Sequence, residues 1–387
     1  MSKRWSGKTV IGLTGNIATG KSVVRRMLEH LGAFSIDADS LAHRAMSPGA
    51  PAYQPVIELF GKFILDADGR INRQRLGRVV FNDPEALAAL ERIVHPIVVD
   101  VIGLLIRRAG QPVVVIEAIK LFESGLAAAC DSVWVVDAPQ DVQIRRLMST
   151  RGMSEAEART RITAQPPQAE KLARASVVID NSGGYEQTFE QVQRHLAALT
   201  GVHVEEPEPE PELAPPSQPA PTSQAAPIRV QRAGPRQAEA IARFINAVQG
   251  TSLTRADVLV RFGQRAYMLA YAGEQVVGLA GWQVENLVTR VTEIILADSL
   301  PPERVITALV EAVEQASMDL QSEMALLFVA QDTSEALRRT LQRSSYEQHV
   351  PADFRVPDWR EAAEESMPPG TVLFAKRLRA DRVLRPI

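Results

Sequence analysis

Cysteine is nearly missing from this 387-residue sequence: Cys130 stands alone. No intramolecular disulfide can form, which fits a reducing compartment. Long hydrophobic runs are missing too, and no uninterrupted apolar stretch could span a bilayer. The first residues carry Lys3 and Arg4 but lead into a strand instead of a signal-peptide apolar region. An excess of one charge sign is also lacking: 43 Lys and Arg face 46 Asp and Glu, a net charge of −3. With no global basic field, composition decides nothing about a nucleic-acid partner. The expectation is a soluble cytoplasmic protein with no membrane partner.

Hydrophobic residues make up 45% and charged residues 23%, enough apolar material for a full core. The length exceeds that of a usual single domain, so two are expected. From Glu205 the composition turns to alternating Glu and Pro, then to Pro, Ala, Ser and Gln up to Pro227. Proline removes backbone donors and little there can be buried, so this stretch reads as an extended, solvated tether. The division is residues 1–199, a linker at 200–227, and 228–387.

In the first part, short runs of branched apolar residues at 9–13, 113–116, 133–136 and 177–179 read as strands buried on both faces, and 34–36 as a further candidate strand. Helical stretches separate them. In the last, Tyr185, Phe189, Val192, Leu196 and Leu199 share one face. This alternation predicts an α/β fold around a parallel sheet.

Directly after the first strand comes Gly15-Asn16-Ile17-Ala18-Thr19-Gly20-Lys21-Ser22, and the helical run 23–31 follows. The octapeptide fits G-x-x-x-x-G-K-[ST], the P-loop. Its glycines let successive N–H groups and the helix N-terminus face a phosphate. Lys21 is placed to reach the β- and γ-phosphates, and the Ser22 hydroxyl to bind Mg²⁺. The loop predicts ATP binding through Gly15, Asn16, Ala18, Thr19, Gly20, Lys21, Ser22 and Val23.

A P-loop does not by itself separate kinases from GTPases or motor ATPases. After the second strand comes Asp37-Ala38-Asp39-Ser40, which places two carboxylates at a strand's C-terminal end, facing the ligand crevice of an open α/β sheet. A carboxylate there can orient an attacking hydroxyl or accept its proton. Equally, both can cap the next helix.

The blocks Gly12–Ser22, Ile36–Asp39, Pro48-Gly49, Phe60-Gly61, Asp68-Gly69, Arg75-Leu76, Phe81–Pro84, His95-Pro96 and Phe122-Glu123 resemble, in order, those of the dephospho-CoA kinase family. Val135–Asp137, Arg146–Met148, Ala164-Gln165 and Val178–Ser182 continue the series. The resemblance runs from about 10 to 199. It implies the P-loop nucleoside-triphosphate-hydrolase fold: an adenylate-kinase-like parallel sheet, a helical insertion (41–108) receiving dephospho-CoA, and a lid (145–165) closing over ATP. It implies that Asp39 serves as base or orienter for the ribose 3′-hydroxyl, that Arg146 contacts phosphate, and that Asn181 lies near the adenine. His95 matches a substrate-side histidine; a structural histidine before a proline is the other reading.

The sequence departs from the family in places. Asn16, Ala18 and Thr19 stand where Gly, Gly and Ser are usual, at positions that act through backbone groups. Glu117-Ala-Ile-Lys120 replaces a usual Val-Pro-Leu-Leu, and pairing of Glu117 with Lys120 is expected ahead of a contact with the Mg²⁺ shell or the substrate. Thr150 stands where a second lid arginine is common, with Arg151 one place later, turned by about 100° on a helix.

In the second part, residues 228–242 read as a short strand, a turn and an amphipathic helix. Stretches 267–271 and 276–282 alternate around Ala272-Gly273-Glu274 as a hairpin. A strand (289–296), a long helix (302–318), a strand (325–329), a helix (334–343) and a strand (371–378) complete the order. This resembles the α+β fold of GNAT acetyltransferases. Glycine is absent from Gln283 to Pro369, however, and Ala297-Asp-Ser-Leu-Pro-Pro302 occupies the place of the family's Gly-rich pyrophosphate turn. Asp298 repels a pyrophosphate, and Pro301 and Pro302 each lack a donor. The expectation is a non-catalytic GNAT-like module with CoA or acyl-CoA as a candidate ligand. The basic tail (Lys376, Arg377, Arg379, Arg382, Arg385) has no interleaved aromatics, so it reads as a solvated end and no nucleic-acid partner is expected.

The resulting prediction is an ATP- and Mg²⁺-dependent kinase that phosphorylates dephospho-CoA, with Asp39, Lys21 and Arg146 as catalytic residues. The alternatives are another small-molecule P-loop kinase, a kinase fused to an acyl-CoA-binding N-acetyltransferase, or a regulatory protein that binds ATP without turnover.

Overall fold

The computed structural model describes residues 5, 7–201, 227–333, 335–381 and 383. By its contacts the chain divides into two compact units, one ending at His195 and the other running from Leu196 to Val383. The expected tether, apart from residues 200, 201 and 227, lies outside the described residues, as do Arg382 and Arg385 of the basic tail. Among the described residues no helix is long and apolar enough to cross a membrane.

The first unit runs β1 (Thr9–Thr14), α1 (Lys21–His30), β2 (Phe34–Asp37), α2 (Ala38–Ala45), α3 (Tyr53–Phe60), α4 (Arg73–Val80), α5 (Pro84–Arg108) and β3 (Val113–Glu117). It continues with β4 (Ser132–Asp137), α6 (Gln140–Arg151), α7 (Glu155–Thr163), α8 (Gln168–Leu172) and β5 (Val177–Asp180), and α9 (Tyr185–Thr200) runs across the division. The sheet order is β2-β3-β1-β4-β5, and every pairing is parallel. Val10, Ile11 and Leu13 of the central strand are fully buried, as both-face packing of a parallel sheet requires. All five expected strands are present, each a residue or two longer than its run, but β5 is not buried on both faces as expected: it is an edge strand and leaves Val178 exposed. The added C-terminal residues are Thr14, Asp37, Glu117, Asp137 and Asp180. An apolar run stops at the first polar residue, but the ladder does not. These side chains therefore gather along the carboxyl edge of the sheet, where open α/β sheets take their ligands.

Helices α2 to α5 form the insertion between β2 and β3. Asp83 caps α5 by accepting from the N–H groups of Glu85 and Ala86, and Pro84 at the first turn needs no donor. Helices α6 and α7 form the lid segment, with a capping box between Ser154 and Glu157 opening α7.

The second unit comprises β6 (Ile228–Ala233), α10 (Ala238–Gln249), α11 (Arg255–Phe262), β7 (Ala266–Ala272), β8 (Gln275–Glu285), β9 (Val288–Leu296) and α12 (Pro302–Asp319). After these come β10 (Met324–Ala330), α13 (Glu335–Arg343), β11 (Glu347–His349), α14 (Pro357–Ser366) and β12 (Thr371–Arg377). Its sheet order is β11-β12-β10-β9-β8-β7-β6, antiparallel except between β9 and β10. The expected strand, helix and hairpin order is found. Gly278 on β8 lets α12 approach, since a Cβ there would stand 2.5 Å from Val305 Cγ1. Helices α11 and α14 went unpredicted. α14 buries only Ala362 and Ala363, too little apolar surface to mark a stripe.

Candidate active site

The site is built where β1, β2 and β3 end. Gly20 caps α1 in the left-handed region, at φ 97° and ψ 27°, a conformation that favours glycine. It turns the loop so that α1 begins at Lys21. The Lys21 ammonium donates to Asn16 O at 3.2 Å. Burial lowers its pKa, while Glu117, Asp39 and Asp37 oppose that shift. The loop is braced from behind. Arg146 on α6 donates to Ala18 O at 3.2 Å, Thr19 O at 3.1 Å and Asn181 O at 2.7 Å. The buried Asn181 side chain donates to Thr19 O at 2.8 Å and accepts from the Thr188 hydroxyl at 3.0 Å. Gln165 at the end of the lid and Gln168 after it complete the brace: Asn16 N–H donates to Gln168 Oε1 at 3.0 Å and Ile17 N–H to Gln165 Oε1 at 2.7 Å.

The two carboxylates at the end of β2 are held differently. Asp37 is the helix cap, accepting from Ser40 N–H at 2.9 Å. Asp39, in the first turn of α2, instead reaches across to accept from the N–H of Ile119, beyond the end of β3, at 3.0 Å. Burial raises its pKa; the Ile119 N–H opposes this, Asp37 adds to it, and Lys21 and Lys171 oppose it. The parallel register sets Asp37 directly opposite Glu117.

Glu117 does not pair with Lys120. Its carboxylate lies 2.7 Å from Arg25 Nε, while Lys120 pairs with Glu91 at 2.8 Å. The reason is geometric: Glu117 ends β3 and is buried against α1, whereas Lys120 lies beyond the strand and faces α5. Glu117 Oε1 also accepts from the Ser22 hydroxyl at 3.5 Å. Arg25 in turn holds Glu29 at 2.8 Å, and Arg26 holds it at 2.9 Å. A buried ionic chain thus runs from α1 to the sheet edge.

The structure brings Lys21, Ser22, Asp37, Asp39 and Glu117 together, with Arg146 and Asn181 beneath the loop. His95 lies half-buried on α5, and no hydrogen bond or ion pair joins it to these residues. The Thr150 hydroxyl turns back to Arg146 O at 2.6 Å, and Arg151 is exposed at the end of α6. One member of the cluster was missed: Lys171 on α8 is 5% exposed and donates to Ile119 O at 3.0 Å. In sequence it reads as an ordinary surface lysine of a short helix.

A hard divalent cation fits this donor set. The Ser22 hydroxyl and Glu117 carboxylate are oxygen donors, and Mg²⁺ takes few protein ligands because it keeps waters and phosphate oxygens. Among the described residues no three His, Cys, Asp or Glu side chains form an all-protein metal cage.

A family model described as dephospho-CoA kinase matches residues 9–187. A dephospho-CoA kinase of Carboxydothermus hydrogenoformans is 47% identical over 186 residues, covering 47% of this chain and 90% of the relative. One of Geobacter sulfurreducens is 46% identical over 193 residues, 49% of this chain and 96% of the relative. In the C-terminal region, a GNAT-family acetyltransferase structure from Streptococcus pneumoniae matches at 12% identity and a TM-score of 0.30, covering 39% of this chain and 99% of that one.

Proposed function

The chain belongs to the dephospho-CoA kinase family, and from that premise we propose how its residues divide the work of the transfer. It is an ATP-dependent kinase that phosphorylates the ribose 3′-hydroxyl of dephospho-CoA, completing coenzyme A. In our reading the 3′-hydroxyl donates its proton to the free oxygen of Asp39 as its own oxygen attacks the γ-phosphorus in line. The new bond is 3′-O to γ-P; the bond that breaks joins γ-P to the β,γ-bridging oxygen, and ADP leaves with that electron pair. Asp39 passes its proton to solvent.

Lys21 reaches the β- and γ-phosphates from the first turn of α1 and steadies the charge that builds on them. The N–H groups of the loop other than those of Asn16 and Ile17, which Gln168 and Gln165 hold, bind the phosphates, with Gly15, Asn16, Ala18, Thr19, Gly20, Ser22 and Val23 shaping it. Arg146 and Asn181 act from below by fixing the Ala18 and Thr19 carbonyls, which leaves the loop donors aimed outward. Ser22, with Glu117 beside it, would hold Mg²⁺, which when bound offsets phosphate charge. The insertion α2 to α5 receives dephospho-CoA, with His95 on its substrate side.

The carrying observation is that Asp39, unlike Asp37, is not used as a cap: it stands at the sheet edge beside Lys21 with one oxygen fixed by Ile119. Residues 1–199 form the kinase, 200–227 tether it, and 228–387 form a GNAT-like module without acetyl transfer, open to CoA or acyl-CoA as a ligand. A lone cysteine and metabolite substrates favour the cytoplasm. The test is ADP release by the full chain with and without dephospho-CoA, with the product's position of phosphorylation read by fragmentation mass spectrometry. Substrate-dependent 3′-phosphorylation is expected; ADP release indifferent to dephospho-CoA would overturn the reading.

A further inference from the structure

Lys171 is a buried ammonium with no carboxylate within ion-pair distance among the described residues, its one hydrogen bond going to Ile119 O at 3.0 Å. Such a burial is costly unless nearby charge repays it. The same carbonyl accepts from the Thr14 hydroxyl at 3.2 Å, while the N–H of Ile119 holds Asp39 at 3.0 Å. Residue Ile119 is therefore gripped on both sides, by Lys171 and Thr14 at its carbonyl and by Asp39 at its amide. The preceding turn of the same segment holds the P-loop through Gln168. One short stretch after the lid thus sets both the phosphate loop and the peptide that carries the carboxylate.

Charge gives this arrangement a purpose. The groups facing Asp39 are Asp37 from β2, Glu117 from β3, Lys21 from α1 and Lys171 from α8; Glu123 also faces Lys171. Two carboxylates stand beside a third that has to stay ionised to accept a proton. When a triphosphate is bound, Lys21 is engaged by it, and the phosphate charges add to the load on Asp39. Lys171, on the other side of Ile119, is the cation that remains.

We propose that Lys171 is a positioning residue for the transfer: it fixes Ile119, and through it Asp39, and keeps that carboxylate charged once Lys21 has turned to the phosphates. This rests on the role given to Asp39 above.

The test uses the full chain with K171M, K171Q, K171R, D39N and D39N/K171M, reading kcat across the acid limb of its pH profile and ATP affinity by titration calorimetry. Removing the ammonium lets the Asp39 carboxylate protonate more readily, so the acid limb of K171M and K171Q is expected to move up by about one pH unit. kcat should fall at least about tenfold near neutrality, with ATP affinity unchanged. K171R should restore the limb. K171M should add little to D39N, because both act on one carboxylate. An acid limb that stays put in both K171M and K171Q, or a K171M loss that multiplies fully with that of D39N, overturns the inference while leaving Asp39 in its role. A D39N enzyme with full turnover overturns both. If K171M does not fold, K171Q and K171R decide the matter by the same limb.

Discussion

A Cβ placed on Gly20 would stand 1.9 Å from Nδ2 of Asn181, so these two residues share a space that admits only glycine on the loop side. The Asn181 amide holds Thr19 O, and Gly20 takes the left-handed conformation that starts α1. Phosphate loop and β5 exit are thereby locked to each other.

Gly20→Ala is accordingly expected to displace Asn181 and the loop together. Backbone strain alone should cost about 1–2 kcal/mol, and misaimed loop donors should lower kcat/KM for ATP by about 100-fold or more. Steady-state kinetics beside thermal melts would check it. Normal kinetics with normal melting would contradict the packing described.

Asp37 and Asp39 should separate cleanly on mutation. Asp39→Asn is expected to reduce turnover by about 100-fold or more with ATP affinity retained. Asp37→Ala should be felt first as stability, about 1 kcal/mol for a lost cap. Paired kinetics and denaturant titrations of the two variants read this directly, and equal kinetic losses would mean that the roles are shared.

Buried Glu29 predicts the acid behaviour of the first unit. Burial alone would raise its carboxyl, but Arg26 and Arg25 prevail, with Ser35 also donating to it, and hold it at about 2, below the ordinary 4.5. A depressed folded-state pKa contributes stability that is present above the ordinary value and lost as pH falls through the folded one. Melting temperature should therefore drop as pH goes from about 4.5 to about 2, a change worth roughly 3 kcal/mol. Glu29→Gln should be less stable at neutral pH by about 3–5 kcal/mol, since it removes the buried carboxylate that Arg25 and Arg26 share, and its melting should depend less on acid. A wild-type curve flat over that range would rule the account out.

Residues 1–204 alone should retain dephospho-CoA phosphorylation within a few-fold of the full chain. The kinases it resembles fit almost whole, 90% and 96% of their length, within 47% and 49% of this one. Comparing kcat for the fragment and the full chain measures this. A fragment that folds but makes no product would give the second unit a part in the reaction.

Much of the molecule could be read along the chain. The glycine spacing and Lys21-Ser22 after an apolar strand specify a phosphate loop, because backbone conformation at glycine and reach at lysine are local properties. The three inner strands of the first sheet were legible because both-face burial demands continuous apolar runs. In the second unit, alternation around Gly273 marked the hairpin, while α14, with two buried alanines, left no trace. What a carboxylate or ammonium does was not local. Asp37 and Asp39 are chemically alike and two residues apart, yet the packing of β3 offers an N–H from Ile119 to one and leaves the other to Ser40. Glu117 met Arg25 and not Lys120, because strand register and burial, not sequence distance, decide which charges face each other. Lys171 came to the same edge from a helix 52 residues beyond Ile119. Residue types and local backbone fixed the phosphate loop; the assignment of charges around it waited for the fold, since electrostatic roles depend on distances that only tertiary packing sets.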